Sequence, residues 1–326
     1  MSLLSKTNAG PVAPASAAGP ASAVHVPAPR SNRARRARWS LWFFVAPATI
    51  YLLAFFLVPV INNVTMSFQD YTTATFYTGE APFVGFANYV SVFASGLFAT
   101  LTINTAIFTL VSLAATFVIG LALAVFFDKH FPLNGVLRAL LLLPWLLPLI
   151  ISAAVWRRMM DGGDGILNQI IGAVGLPGVP WLTNPDVALY SVILVNVWVG
   201  IPFVMVILYG GLQEIPRELY EAASLDGAIG LKAFRSITWP LLRPVVGVVL
   251  MLGFIYTIRV LDIVLALTGG GPANATQTFA TQAYALSFTQ FKFGAGAALS
   301  NVLIVVSLLV ASLQLRSGRR QSDLAG

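Results

Sequence analysis

The sequence predicts an all-α, polytopic membrane protein with six spans. Three observations carry that prediction: a composition too apolar for a soluble domain, six apolar runs of membrane-crossing length, and basic residues gathered on alternate connecting segments. The 326 residues are 57% hydrophobic and 10% charged, with a mean hydropathy of +0.82. A soluble domain carries roughly a quarter charged residues, and its core could not absorb this much apolar surface.

Residues 1–29 are rich in Ala, Pro, Ser and Gly without apolar periodicity, which predicts a disordered tail. With the basic run RSNRARRAR (30–38) they form a basic N-terminal segment, 1–38. The first span follows at 39–61; it is too long for a signal peptide, and polar NNVT (62–65) follows it in place of a cleavage site. Further spans are predicted at about 100–127, 136–158, 188–212, 240–266 and 294–315, each near or above the ~20 residues that cross ~30 Å of hydrocarbon. Pro144, Pro148 and Pro202 fall inside spans, where neighbouring helices can satisfy the freed backbone groups. The membrane domain is thus 39–316, with a short tail at 317–326.

Orientation follows from Lys and Arg. With the N-terminus in the cytoplasm, all but Arg157, Arg158, Arg259 and Lys292 of the 19 basic residues fall on the cytoplasmic side. The long 62–98 segment, on the other side, has none. That asymmetry predicts cytoplasmic termini and a cytoplasmic loop at about 213–240. The net charge of +7 is therefore read as topology-setting, and the absence of an aromatic-interleaved basic surface argues against nucleic acid.

Several chemistries are excluded. Without cysteine there are no disulfides, thiolate metal sites or thiol nucleophiles. Of the two histidines, His25 lies in the tail and His130 in a short basic loop, leaving none for an intramembrane metal. No G-x-x-x-x-G-K-[ST] phosphate loop occurs, so the chain is not expected to bind ATP. The GGGP run (269–272) lacks the lysine and predicts a tight turn. An intramembrane enzyme would need a nucleophile, acid–base pair or metal cluster within the spans, and none is evident.

The loop segment IPRELYEAASLDG (215–227) predicts a short helix. Pro216 suits its first turn, Glu218 and Glu221 favour its positive end, and Gly227 is a left-handed stop. Ile215, Leu219, Ala222 and Leu225 recur at helical spacing. A second short helix, 231–237, is expected to end before Pro240. Docking to a partner protein and lying on the bilayer surface are both open on these grounds.

Glu221, Ala222 and Ala223, followed by Asp226, Gly227, Ala228, Phe234, Ile237 and Pro240, resemble the EAA loop of ABC importer permeases, with Trp239 where that family usually has leucine. LTGGGPANATQT (267–278), FVGFANY (83–89), Asn104 and Thr105 are similar to its carbohydrate members, of maltose, trehalose or glycerol-phosphate type. The resemblance covers roughly 40–315 and implies the type I permease fold. It implies that Glu221, Ala222, Ala223, Ser224, Leu225, Asp226, Gly227 and Ala228 form a coupling surface on a cytoplasmic ATPase subunit. It also implies a second, non-identical permease subunit, two ATP-binding subunits that hold ATP and Mg, an external sugar-binding protein, and a place in a bacterial inner membrane. This chain would transport by alternating access without enzymatic activity, cofactor or metal of its own. The triplets NVT (63–65) and NAT (274–276) match glycosylation acceptors but are discounted, because the resemblance is to bacterial proteins.

Arg259 and Asp262 are expected within the fifth span at i and i+3, sharing a helix face and neutralising each other. With Tyr256 about a turn earlier, and Asn196 and Trp198 of span four, they are candidates for a sugar pathway that supplies hydrogen bonds and stacking. Helix packing is the competing role for Arg259, Asp262, Asn196 and Trp198. Permeases for other cargo, such as glycerol phosphate or polyamine, are alternatives. A secondary transporter fits less well, because the halves show no internal repeat.

Overall fold

The computed structural model describes residues 44–323; the tail predicted at 1–38 and the last three residues lie outside it. The chain divides into two units, residues 1–57 and 58–326. In the first, the described residues are helical and include a π-helical turn at Leu53–Leu57. The stretch Phe44–Met66 reaches 23 residues, enough to cross a bilayer.

The second unit opens with α1 (Val58–Met66) and continues through α2 (Phe98–Phe127), α3 (Asn134–Leu146), α4 (Leu149–Met159) and α5 (Pro185–Gln213). A short helix, α6 (Arg217–Leu225), leads to α7 (Leu231–Thr257), α8 (Asp262–Leu267) and α9 (Phe293–Asp323). Among the described residues there is no named strand, only isolated bridges such as Thr72 with Lys292.

Helices α2 and α5 form the centre. Phe108 of α2 and Val192 and Val195 of α5 are fully buried with Ile263 and Val264 of α8. Towards the α6 end, Ala124, Met205, Leu208, Leu242 and Val249 make a second core that joins α2, α5 and α7. Over its most apolar stretch α5 is 56% buried and α7 only 22%, so α5 is the internal post and α7 turns most of its surface outward. Between apolar helices in lipid, close backbone approach supplies the packing energy. Gly120 provides it here: a Cβ at that position would lie 2.6 Å from Val204 Cγ1 of α5.

Two predicted spans are not single helices. The run 136–158 is two helices bent by 97° between Leu146 and Leu149. Pro148 caps α4 with an extended ψ of 131°, following Leu147 at ψ 141°, because the residue before a proline is driven out of the helical region. The fifth span ends at Thr257, and α8 restarts at Asp262. At its other end the expected stop before Pro240 is absent. The π-helical turn Phe234–Thr238 widens the spiral just ahead of Trp239–Thr257, so Pro240, with no N–H to give, is accommodated in a continuous helix.

Candidate functional site

The 213–240 segment is built from local rules. Pro216 is the N-cap of α6, at φ −59° and ψ 133°. Gly227 takes the left-handed conformation at φ +68°. Its N–H donates to Ser224 O (3.1 Å), and Ala228 N–H reaches back to Ala223 O (2.8 Å). These two bonds are the Schellman pattern, and the positive φ explains the glycine. The apolar stripe read from spacing does not face the bundle as a whole. Ile215 is buried, but Leu219 is exposed and Leu225 is 89% exposed. Glu221, Ala222, Ser224, Asp226 and Gly227 are exposed, with Ala223 and Ala228 half-buried.

What fastens α6 to the bundle is Tyr220, half-buried in the second core, whose hydroxyl lies 2.9 Å from Thr238 Oγ1. Thr238 sits on α7, so the exposed helix and a membrane helix are joined directly. Sequence spacing did not single out Tyr220.

Further along α7 a cavity of about 490 Å³ opens between α2, α5, the α3–α4 bend and the break after Thr257. It brings together Asn196, Tyr256, Arg259 and Asp262. Asn196 has no hydrogen-bonding partner among the described residues, and Tyr256 packs edge-to-face on Phe203 at 5.9 Å. The expected Arg259–Asp262 ion pair is not formed. The break at residues 258–261 takes Arg259 off the helix, and no nitrogen–oxygen approach within 4.0 Å joins the two exposed side chains. Trp198 does not line the cavity; it packs edge-to-face on Trp156, ring centroids 5.5 Å apart. Trp145, which spacing did not suggest, does line it. Among the described residues no three His, Asp or Glu side chains gather into a metal-binding group.

At the far end of the bundle, the TGGGPANAT stretch is folded inward. Asn104 Nδ2 donates to Asn274 O (3.1 Å) and Gln277 O (3.0 Å), and Phe279 N–H donates to Thr105 Oγ1 (3.0 Å). Thr276, Gln277 and Thr278 are buried. Gly270, at φ +92°, leaves the space that the Gln277 side chain fills. Asn63 donates to Asn301 Oδ1 (2.7 Å) and so serves as an interhelical bridge.

Residues 116–323 match the family described as binding-protein-dependent transport system inner membrane component. The chain belongs to that family. The trehalose/maltose transport system permease protein MalF of Thermococcus litoralis is 36% identical over 282 residues, covering 86% of this chain and 94% of that protein. The sulfoquinovosyl glycerol transport system permease protein SmoG of Agrobacterium fabrum is 32% identical, over 86% of this chain and 93% of that one. The fold is shared with a bacterial alginate ABC transporter crystallised in complex with alginate pentasaccharide-bound periplasmic protein. Its matching chain superposes with a TM-score of 0.76 at 22% identity, over 89% of this chain and 98% of that one. As an inner membrane component of such a system, the protein is a permease.

Proposed function

We propose that this permease forms half of the translocation pathway of an ATP-driven carbohydrate importer. The other half is a second, non-identical permease subunit, and two copies of an ATP-binding subunit hold ATP and Mg. An external sugar-binding protein delivers cargo. The similarity to trehalose/maltose and sulfoquinovosyl glycerol permeases supports a carbohydrate. The basic-residue asymmetry supports cytoplasmic termini and a cytoplasmic α6.

The observation that carries this reading is the continuity of α7. One end is hydrogen-bonded to α6 through Thr238, and the other contributes Gly253, Tyr256 and Thr257 to the cavity. Glu221 to Ala228 dock on the ATPase, and closure of the ATPase dimer moves α6 and α7 together. That motion changes access to Asn196, Tyr256, Arg259 and Asp262. A guanidinium and a carboxylate that do not neutralise each other remain free to hydrogen-bond hydroxyls, while Tyr256 and Trp145 offer faces for a sugar ring.

The test is ATPase activity of the complex reconstituted with partner permease, ATPase and binding protein, against a panel of neutral sugars. Glu221→Arg should abolish substrate-stimulated hydrolysis while this chain stays inserted. Arg259→Gln or Asp262→Asn should weaken transport without releasing the ATPase. Stimulation by no sugar, but by a polyamine or glycerol phosphate, would overturn the cargo assignment. Unchanged coupling in Glu221→Arg would overturn the docking assignment.

A further inference from the structure

At the α6 end of the bundle two adjoining hollows, of about 500 and 630 Å³, share Asp128, Lys129, His130 and Gln213 in their walls. One adds Arg138 and the other Arg217. Basic residues at span ends need no special explanation, since they set orientation. Here, however, three cations and a histidine from three separate segments line a recess made of two hollows with a shared wall.

Their arrangement leaves positive charge uncompensated. Arg217 Nη2 donates to His130 Nε2 at 3.5 Å, a bond to an uncharged acceptor that leaves the guanidinium charge uncompensated. Arg138 lies over the Tyr209 ring, 4.4 Å from its centroid, which orients the guanidinium without neutralising it. Lys129 has no side-chain partner among the described residues. The one acid in the walls, Asp128, accepts from Gln213 Nε2 at 2.6 Å, an amide rather than a cation. The turn that presents this set is fixed by Asn134 Nδ2, which donates to Phe127 O (2.9 Å) and Lys129 O (2.6 Å). The recess is therefore a built feature of the chain.

We propose that it binds the phosphate of an anionic phospholipid. Phosphate chemistry follows from several unneutralised donors around a space that admits a phosphodiester. A lipid as its source follows from the neighbouring surface. Val136, Leu137 and Leu140 of α3, in the turns beside the recess, are exposed at 56%, 42% and 54%, so acyl chains have an apolar track leading from it. Basic pockets between spans at the membrane boundary suit such headgroups. Because the second hollow also touches Tyr220 and Thr238, an occupied site would brace the α6–α7 joint. The proposal does not depend on which cargo the permease carries.

The test is native mass spectrometry of the full chain in neutral detergent, titrated with short-chain phosphatidylglycerol, phosphatidylcholine or inorganic phosphate. One phosphatidylglycerol should be retained in preference to phosphatidylcholine. Each basic charge removed from the recess should weaken it about fivefold, so Lys129→Gln with Arg217→Gln should lose about 20- to 30-fold. Lys129→Arg should restore most of the single-site loss, and Lys292→Gln, at the other end of the bundle, should change nothing. Equal retention of the two lipids, or an unchanged double variant with a wild-type melting temperature, would overturn the site. Inorganic phosphate binding as tightly as phosphatidylglycerol would overturn the lipid as its source.

Discussion

The hydroxyls of Tyr220 and Thr238 are 2.9 Å apart, joining the exposed helix α6 to the membrane helix α7. Thr238 is 6% exposed, so losing its partner removes a hydrogen bond in a nearly dry setting. Tyr220→Phe keeps the ring packing and should cost about 1 kcal/mol. Thr238→Val should cost a similar amount, and the double variant little more than either alone. Thermal melts of the four proteins in detergent close that cycle. Additive losses would show that the two side chains act separately.

Gly227 is the second fixed point of the same loop. At φ +68° a side chain costs about 1–2 kcal/mol, more if β-branched. Gly227→Val should therefore open the two bonds that end α6. Amide hydrogen exchange at Ala228 should quicken roughly tenfold or more, because 1.4 kcal/mol is a factor of ten in an opening equilibrium. Exchange confined to wild-type rates would mean that the turn tolerates the side chain.

Gly120 tests the central packing. Its missing side chain lets α2 approach Val204, and a Cβ would meet Val204 Cγ1 at 2.6 Å and Cβ at 2.9 Å. Val204 is almost fully buried and has nowhere to retreat. Gly120→Ala should cost about 1–3 kcal/mol. Adding Val204→Ala should recover part of that loss, which makes the pair less costly than the sum of its members. A melting temperature that falls additively would place the strain elsewhere.

Asp161 gives a pH effect outside the spans. Its Oδ1 accepts from Asp164 N–H (3.2 Å) and Gly163 N–H (3.0 Å), and these bonds hold its carboxyl below the usual carboxylate range. Arg158, 3.9 Å away, adds a weaker pull. A lowered folded-state value means that the ionised form favours the fold. Its contribution is complete above the ordinary value of 3.8 and disappears as pH falls through the lower folded value. Asp161→Asn should therefore reduce the melting temperature at pH 7, and the gap to wild type should narrow only below about pH 4. Arg158→Gln should have little effect at any pH, because the pair is exposed.

The legible parts of the sequence were those ruled by composition and backbone chemistry. The apolar runs themselves and the stop at Gly227 follow from residues with strong, local preferences, as do Pro216 at the start of α6 and the turn at GGGP. The break after Thr257 did not, because residues 258–261 read Ile-Arg-Val-Leu without a proline or glycine. It is made by tertiary packing, with Ile258 in one core and Val260 against another. The inference that Arg259 and Asp262 neutralise each other assumed a continuous helix and failed with it. Trp198 and Trp145 exchanged roles for a similar reason: the 97° bend at Leu147–Pro148 decides which aromatic reaches the cavity. Sequence showed the proline but not the angle.

Asn104 is where sequence and structure meet on the outer loop. Its resemblance to carbohydrate permeases marked the residue, and the fold gives the reason: one side-chain amide donates to two backbone carbonyls, Asn274 O and Gln277 O, from the second turn of an apolar helix. Both carbonyls belong to a turn with left-handed residues at Ala273 and Asn274; within it Asn274 O also accepts from Gln277 N–H (3.1 Å), whereas Gln277 O relies on Asn104. Asn104→Leu should leave Gln277 O unsatisfied at a cost of about 1–3 kcal/mol. Asn104→Asp should be worse at neutral pH, since a carboxylate would then face two carbonyl oxygens. Thr105→Val should orphan Phe279 N–H and loosen the same segment by a similar amount. Limited proteolysis and amide exchange across 270–282 read the effect, with the order Asp, then Leu, then wild type in rate of opening. Equal rates for all three would show that the loop is held by the Thr276 and Gln277 contacts without Asn104.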